Sequence, residues 1–235
     1  MRSNPSGFVG VLMLDTHFPR PPGDVGNAET YERHGIPVRF TVVEGASPLK
    51  VVQQADRSFV RPFVDAAKRM VHDGATMITT SCGFLASYQD VLAQAVAVPV
   101  LTSSLLACRH FAHPGIVTFD AASLTRPILD AAGVPAATPL QGLQPGCEMH
   151  RRILGNETEM DLTEASRNVV AAACALVRQA PAVQDIVLEC TNMPPYAAAL
   201  QAAVGLPVYD IYSLISWFHA GLRPRTFHRA GCVGP

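Results

Sequence analysis

Lysine is nearly absent: the 235 residues contain two, Lys50 and Lys68. A pyridoxal enzyme needs a lysine in its site to form the Schiff base. Lys50 follows a Ser-Pro turn and Lys68 falls on the solvent face of a helical pattern, so that cofactor class is disfavoured. An excess of either charge is also missing. Eighteen Lys and Arg face nineteen Asp and Glu, a formal net charge of −1, which gives no electrostatic case for nucleic acid or an anionic membrane. No apolar run approaches the roughly 18 residues of a membrane span. Residues 1–7 are short and polar, without the apolar stretch of a secretory signal. Six cysteines in a chain this long are not a dense disulfide framework. These absences predict a cytoplasmic, globular protein with reduced thiols and a small-molecule ligand. Cys108, His110 and His113 are loosely spaced like metal ligands, but a fourth is missing and no metal site is expected.

What is present is an alternation of apolar runs and helical patterns, which predicts βα units and a mostly parallel sheet. Phe8–Leu14, Val38–Val43, Thr76–Thr80 and Pro99–Thr102 read as strands of a first half. Gly115–Phe119, Ile186–Glu189 and Pro207–Ile211 read as strands of a second. Helices are expected at Phe63–Val71, Leu85–Val96, Ser104–Phe111, Leu124–Ala132, Leu162–Arg178, Pro194–Val204 and Leu214–Ala220. The stripe on Leu162–Arg178 is Val170, Cys174 and Val177. Thr16–Thr30 lacks an apolar period and reads as a long loop of the kind used for lids and binding. Leu140–Asn156 resists assignment, and Arg223–Pro235 reads as a loosely ordered tail.

The chain also resembles itself at an offset of 108 residues. Cys82 in Thr80-Ser81-Cys82-Gly83 meets Cys190 in Leu188-Glu189-Cys190-Thr191. Tyr88 meets Tyr196, Leu92 meets Leu200, Pro99 meets Pro207 and Val100 meets Val208. Gly7 and Val9 meet Gly115 and Val117, so the register reads as ungapped to Leu106 and Leu214. A repeat at one offset predicts a duplicated unit. The expected fold is therefore α/β, with two similar Rossmann-like lobes of parallel sheet related by a pseudo-two-fold axis. The lobes would be 1–104 and 105–212, with the terminal segment 213–235 packing back on the first. The active site would lie between them.

Each of the two cysteines ends a strand just before a helix. Ligands of open α/β sheets bind beyond the carboxyl ends of strands, and a helix N-terminus offers free N–H groups that favour a thiolate. Cys82 and Cys190 are the candidate acid/base pair. The other four cysteines, Cys108, Cys147, Cys174 and Cys232, read as packing residues. Gly83 allows close backbone approach to a ligand. Ser81 and Phe84 flank the first thiol, and Thr191 and Asn192 offer donors after the second. Asp15, Thr16 and Asn27 follow the first strand. Thr118 and Asp120 follow the first strand of the second half. For Asn27 a turn-holding role fits as well as a ligand role, and for Asp120 a capping role fits equally. Glu148 and His150 are candidates to reach the cleft, while Tyr88 and Tyr196 read as packing residues.

The first strand with Asp15-Thr16 behind it, the Thr-Ser-Cys-Gly stretch and the Glu-Cys-Thr-Asn-Met stretch resemble the aspartate/glutamate/hydantoin racemase superfamily over nearly the whole chain. That resemblance implies cofactor-independent proton transfer at a carbon next to a carbonyl. One thiolate would remove the proton and the opposite thiol would return one on the other face, giving a racemase or epimerase of an amino acid or related compound. Decarboxylases and cis–trans isomerases of the same superfamily, a thiol redox protein and a binding protein without turnover are the alternatives. A homodimer or higher homo-oligomer is a further expectation. Two departures count against glutamate as substrate: Gly83-Phe84 and Thr191-Asn192 stand where glutamate racemases typically have Asn-Thr and Thr-His. Phe84 suits a bulkier or more apolar ligand.

Overall fold

The computed structural model describes residues 7–226; the expectations for residues 1–6, Cys232 and the end of the tail lie outside them. Eight strands form two parallel sheets. β1 (Phe8–Leu14), β2 (Val38–Val43), β3 (Ala75–Thr80) and β4 (Val100–Leu101) make the first, in the order β2-β1-β3-β4. β5 (Pro114–Thr118), β6 (Leu140–Gly142), β7 (Asp185–Leu188) and β8 (Val208–Tyr209) make the second, in the order β6-β5-β7-β8. The central strands are continuous apolar runs because parallel sheets are covered on both faces. Every residue of β1 is buried.

Around the sheets lie α1 (Glu29–Glu32), α2 (Val60–His72), α3 (Gln89–Ala95), α4 (Arg126–Ala131), α5 (Glu148–Leu154), α6 (Leu162–Gln179), α7 (Ala197–Val204) and α8 (Ile211–Leu222). α2 buries Phe63, Val64, Ala67 and Met70 at helical spacing, and Gly74, at φ +101°, turns the chain into β3. Asp161 caps α6 by accepting from the N–H groups of Thr163 and Glu164. The buried face of α6 is Ala165, Val169, Ala172, Ala173 and Leu176. The expected stripe of Val170, Cys174 and Val177 is rotated from it and only half-buried.

The two halves match in strand order, and the 108-residue offset is kept where Ile78 pairs with Val100 and Ile186 with Val208. It is not kept at the first strands. Ser81 N–H donates to the carbonyl of Leu12, whereas Glu189 N–H donates to that of Val117. Leu12 and Val117 are therefore equivalent, at an offset of 105, and the expected Val9–Val117 match is out by three residues. The register is gapped between β1 and β3.

Two expected helices begin as 3-10 turns, at Gly83–Tyr88 and Pro194–Tyr196, and the one expected at Ser104–Phe111 is 3-10 throughout, over Ser104–His110. The unassigned 140–156 stretch holds β6 and α5. The long 16–30 loop is indeed irregular until α1. α8 carries Tyr212, whose ring meets Tyr31 edge-on at 6.1 Å, and Arg223 at its end donates to the carbonyl of Gly7.

The sheets meet around the cysteines. Thr191 Oγ1 donates to the carbonyl of Ser81 at 2.6 Å. Ser104 Oγ donates to the carbonyl of Leu188 at 2.5 Å. A single buried apolar cluster runs from Phe8 through both sheets to Ile215. Among the described residues, no helix is long and apolar enough to cross a membrane, and no group of His, Cys, Asp and Glu is arranged to hold a metal. Cys108 is in the core, and His110 and His113 are exposed.

Candidate active site

β3 ends at Thr80 and β7 at Leu188, so Cys82 and Cys190 both follow the carboxyl end of a central strand. Both line one narrow cavity, of about 20 Å³, where the two sheets meet. Its polar rim is Ser81, Cys82, Gly83, Glu189, Cys190, Thr191 and Asn192. Its remaining wall is apolar: Leu14, Phe18, Pro48, Val52, Phe84, Phe119 and Ile153. Two other depressions, one beside Pro135 and one beside Trp217, contain neither thiol.

The thiols differ in their surroundings. Cys82 precedes the 3-10 turn, and hydrogen bonds from the Phe84 and Leu85 N–H groups favour its thiolate. Burial opposes them and wins, with help from the nearby Glu189, so the Cys82 thiol is pushed up to about 12. Burial also pushes Cys190 well above the ordinary thiol value, again with Glu189 adding to it, against a single opposing N–H group, that of Asn192. The N–H groups expected to favour a thiolate are thus outweighed by burial in the protein alone. A single 3-10 turn carries little dipole, and desolvation of a fully enclosed thiolate outweighs two N–H groups.

Cys190 Sγ lies 3.5 Å from Asn192 Oδ1. The orientation of that amide is fixed by its other end: Asn192 Nδ2 donates to Asp24 Oδ2 at 2.7 Å. A carboxylate only accepts, so the amide nitrogen must face Asp24 and the oxygen must face the thiol. Cys190 is therefore held as S–H. Asp24 is buried and also takes Arg20 Nη1 and the N–H of Gly26 on Oδ1, each at 2.7 Å. Arg20 in turn lies over the Phe18 ring, 4.6 Å from its centroid. The 16–27 loop is thereby tied to the second sheet through Asp24 and Asn192.

Of the expected site residues, Ser81, Gly83, Phe84, Thr191 and Asn192 join the two thiols at the cavity. The other five stand back from it and hold neighbouring backbone or side-chain groups. Asp15 Oδ2 accepts from Gly45 N–H. Thr16 accepts from Arg20. Asn27 accepts from Glu29 N–H and donates to the carbonyl of Arg20, which is its turn-holding reading. Thr118 donates to Glu189 Oε2 at 2.8 Å. Asp120 accepts from Ala122 N–H and Ser123 Oγ, closing a turn. Glu148 is engaged by Arg151 and Arg152. His150 stacks on the outer side of Phe119 at 5.0 Å. Tyr88 and Tyr196 are buried side chains, as packing requires.

Sequence reasoning missed Glu189, the Arg20–Asp24 pair, and the aromatic walls Phe18 and Phe119. Glu189 had a signal: a carboxylate directly after the buried run Ile186-Val187-Leu188. The aromatics had none, since they come from loops far apart in sequence.

The fold is that of the aspartate/glutamate racemase superfamily. Unliganded arylmalonate decarboxylase aligns with a TM-score of 0.61 at 13% identity, covering 96% of both chains. A glutamate racemase isoform from Bacillus anthracis aligns with a TM-score of 0.61 at 14% identity, covering 94% of this chain and 84% of that one. These likenesses concern the fold alone. In sequence, the chain is 31% identical to a dimethylsulfoniopropionate lyase of Durusdinium sp. clade D, over 91% of this chain and 74% of that protein. It is 26% identical to dimethylsulfoniopropionate lyase 5 of Emiliania huxleyi (strain CCMP1516), over 90% of this chain but 45% of that protein, so it spans less than half of that relative. No family model matches the chain. The chain belongs to the aspartate/glutamate racemase superfamily, in the family of these dimethylsulfoniopropionate lyases.

Proposed function

We propose that the protein is a cofactor-independent lyase that removes a proton next to a carboxylate and expels dimethyl sulfide from dimethylsulfoniopropionate. The observation that carries this reading is a pair of unequal thiols on one aromatic-walled cavity. Cys82, with two N–H groups directed at it, is the base. Its thiolate takes the proton from the carbon beside the carboxylate. The C–H electrons become the second bond between that carbon and its neighbour. The carbon–sulfur bond breaks, and its electron pair leaves on dimethyl sulfide, so acrylate remains. The sulfonium cation itself supplies a positive charge near the thiols, which favours the thiolate that burial alone disfavours. Phe18, Phe84 and Phe119 line the cavity, and an aromatic wall suits a sulfonium cation.

The inequality of the thiols favours elimination over racemisation. A racemase needs each thiol to act as base for one enantiomer, whereas Asn192 Oδ1 holds Cys190 protonated. Racemisation of an amino acid or related compound is the second reading, supported by one thiol on each sheet. Headspace measurement of dimethyl sulfide from dimethylsulfoniopropionate tests the first reading. Cys82→Ser should lower the rate by about 100-fold or more, the usual scale of a general base. If no dimethyl sulfide is released, while single-enantiomer amino acids or hydantoins exchange deuterium in heavy water and invert, the racemase reading replaces it.

A further inference from the structure

Glu189 belongs to no step above, yet it is the most unusual group at the cavity. Its position is equivalent to Ser81 in the other half, since the N–H groups of Ser81 and Glu189 donate to the equivalent carbonyls of Leu12 and Val117. Ser81 does one further job: its Oγ accepts from Leu14 N–H at 2.8 Å. Glu189 does the same job with Oε2, which accepts from Phe119 N–H at 3.4 Å and from Thr118 Oγ1. Leu14 and Phe119 are again 105 residues apart. One oxygen therefore satisfies the fold, and Oε1 is surplus. That atom is fully buried and has no partner, although a buried oxygen without a hydrogen bond costs roughly 1–3 kcal/mol. The chain also makes room for it. A Cβ at Gly83 would stand 2.2 Å from Glu189 Oε1 and 2.2 Å from the Glu189 carbonyl. Glycine at 83, beside Cys82, is what lets the carboxyl of the other half reach the first thiol's turn.

We infer that Glu189 is a further ligand-binding residue of this site, a carboxylic acid that keeps its proton and donates it in a hydrogen bond to the carboxylate of the bound ligand. The same bond strengthens as charge moves onto that carboxylate during proton removal. The surroundings suit a neutral acid. Burial, with Asp120 nearby, raises the Glu189 carboxyl to about 7. The other titratable or charged groups around it are Cys82 and Cys190, the Arg20–Asp24 pair beyond Asn192, and His150 behind Phe119. Neither thiol titrates near neutral pH in the protein alone. The proposal rests on the reading above only in taking the ligand to be a small carboxylate, not in the leaving group.

The test uses 4-methylpentanoate, which has the shape of dimethylsulfoniopropionate without its leaving group or positive charge. Calorimetric titrations between pH 6 and 9, in two buffers of different ionisation enthalpy, give the affinity and the protons taken up. The wild type should bind with proton uptake above pH 7, and Kd should rise about tenfold per pH unit there. Glu189→Gln should bind without proton uptake and with a flat pH profile, since its amide still donates. The bound wild type should also show the carbonyl stretch of a protonated carboxyl in the infrared, which keeps the test decisive if the variant fails to fold. Absence of binding, binding by the wild type without proton uptake, or uptake retained in Glu189→Gln would each overturn the proposal. Because no turnover is measured, a protein that releases no dimethyl sulfide can still pass.

Discussion

A carboxyl raised by burial is also a statement about stability. Glu189 has a folded-state value of about 7, above the ordinary value for an unfolded chain. Ionisation is therefore easier when unfolded, so its neutral form supports the fold fully at acid pH. That support falls as pH rises from the unfolded value toward 7 and levels off above it. A difference of this size corresponds to about 3 kcal/mol. Thermal melts between pH 4.5 and 9.5 should show wild-type stability falling relative to Glu189→Gln, with the gap constant above pH 8. Parallel curves for the two proteins would mean that Glu189 is not held neutral. Gly83→Ala addresses the same contact from the other side. Its methyl would meet a backbone carbonyl and a packed carboxyl, so the two halves must separate locally. Loss of about 1–3 kcal/mol is expected, with loss of ligand binding, measured by denaturant titration and calorimetry. Both thiols and Gly83 were readable in the sequence because strand ends and the repeat point at them. Asp15, Asn27, Thr118 and Asp120 follow strands in the same way, but their partners are backbone groups and Glu189, and local pattern does not distinguish a loop-closing side chain from a ligand-binding one.

Among the elements, the 16–27 loop is the one whose order depends on a few polar contacts. It has no regular structure, and Asp24 gathers Arg20, Gly26 and Asn192 at its core. The Val25 N–H adds a bond to the carbonyl of Thr191. Asp24 is buried and Arg20 nearly so, and removing one partner of a buried pair costs about 3–5 kcal/mol. Asp24→Ala should therefore loosen the loop from the second sheet. Hydrogen exchange should rise across residues 18–27 and around Asn192, and the rate should fall because Asn192 is no longer oriented toward Cys190. Unchanged protection at Asn192 would show that the loop is held by other means. The length of this loop was legible from its lack of apolar period, but its anchor was not, because Asp24 and Asn192 are distant in sequence. The 3-10 turns were hidden for a different reason. Residues 83–88 and 194–196 carry helical spacing, yet they must also bring the chain sharply off a strand end, which tightens the first turn.

At the scale of the whole molecule, the duplication is visible in matching strand orders and in a shared 108-residue offset from Ile78 onward. Its three-residue gap before that point went unseen because apolar strands match one another at several registers. The equivalence of Leu12 with Val117 needs the hydrogen-bond ladder. Two repeated sheets could fold as separate units, but the contacts here argue against it. Thr191 bonds to Ser81, Ser104 to Leu188, and Glu189 lies against Gly83. Each contact joins one sheet to the other at the cysteines, and the apolar core is continuous between them. Opening the cleft would strip partners from buried polar groups on both sides, so neither sheet keeps its stability without the other. Unfolding should be a single cooperative step, with equal calorimetric and van't Hoff enthalpies. Thr191→Val removes the Ser81 bond while keeping shape, and should lower the midpoint without splitting the transition. Two resolved transitions in the wild type would show that the halves fold separately, and the site would then depend on their docking rather than on a common core.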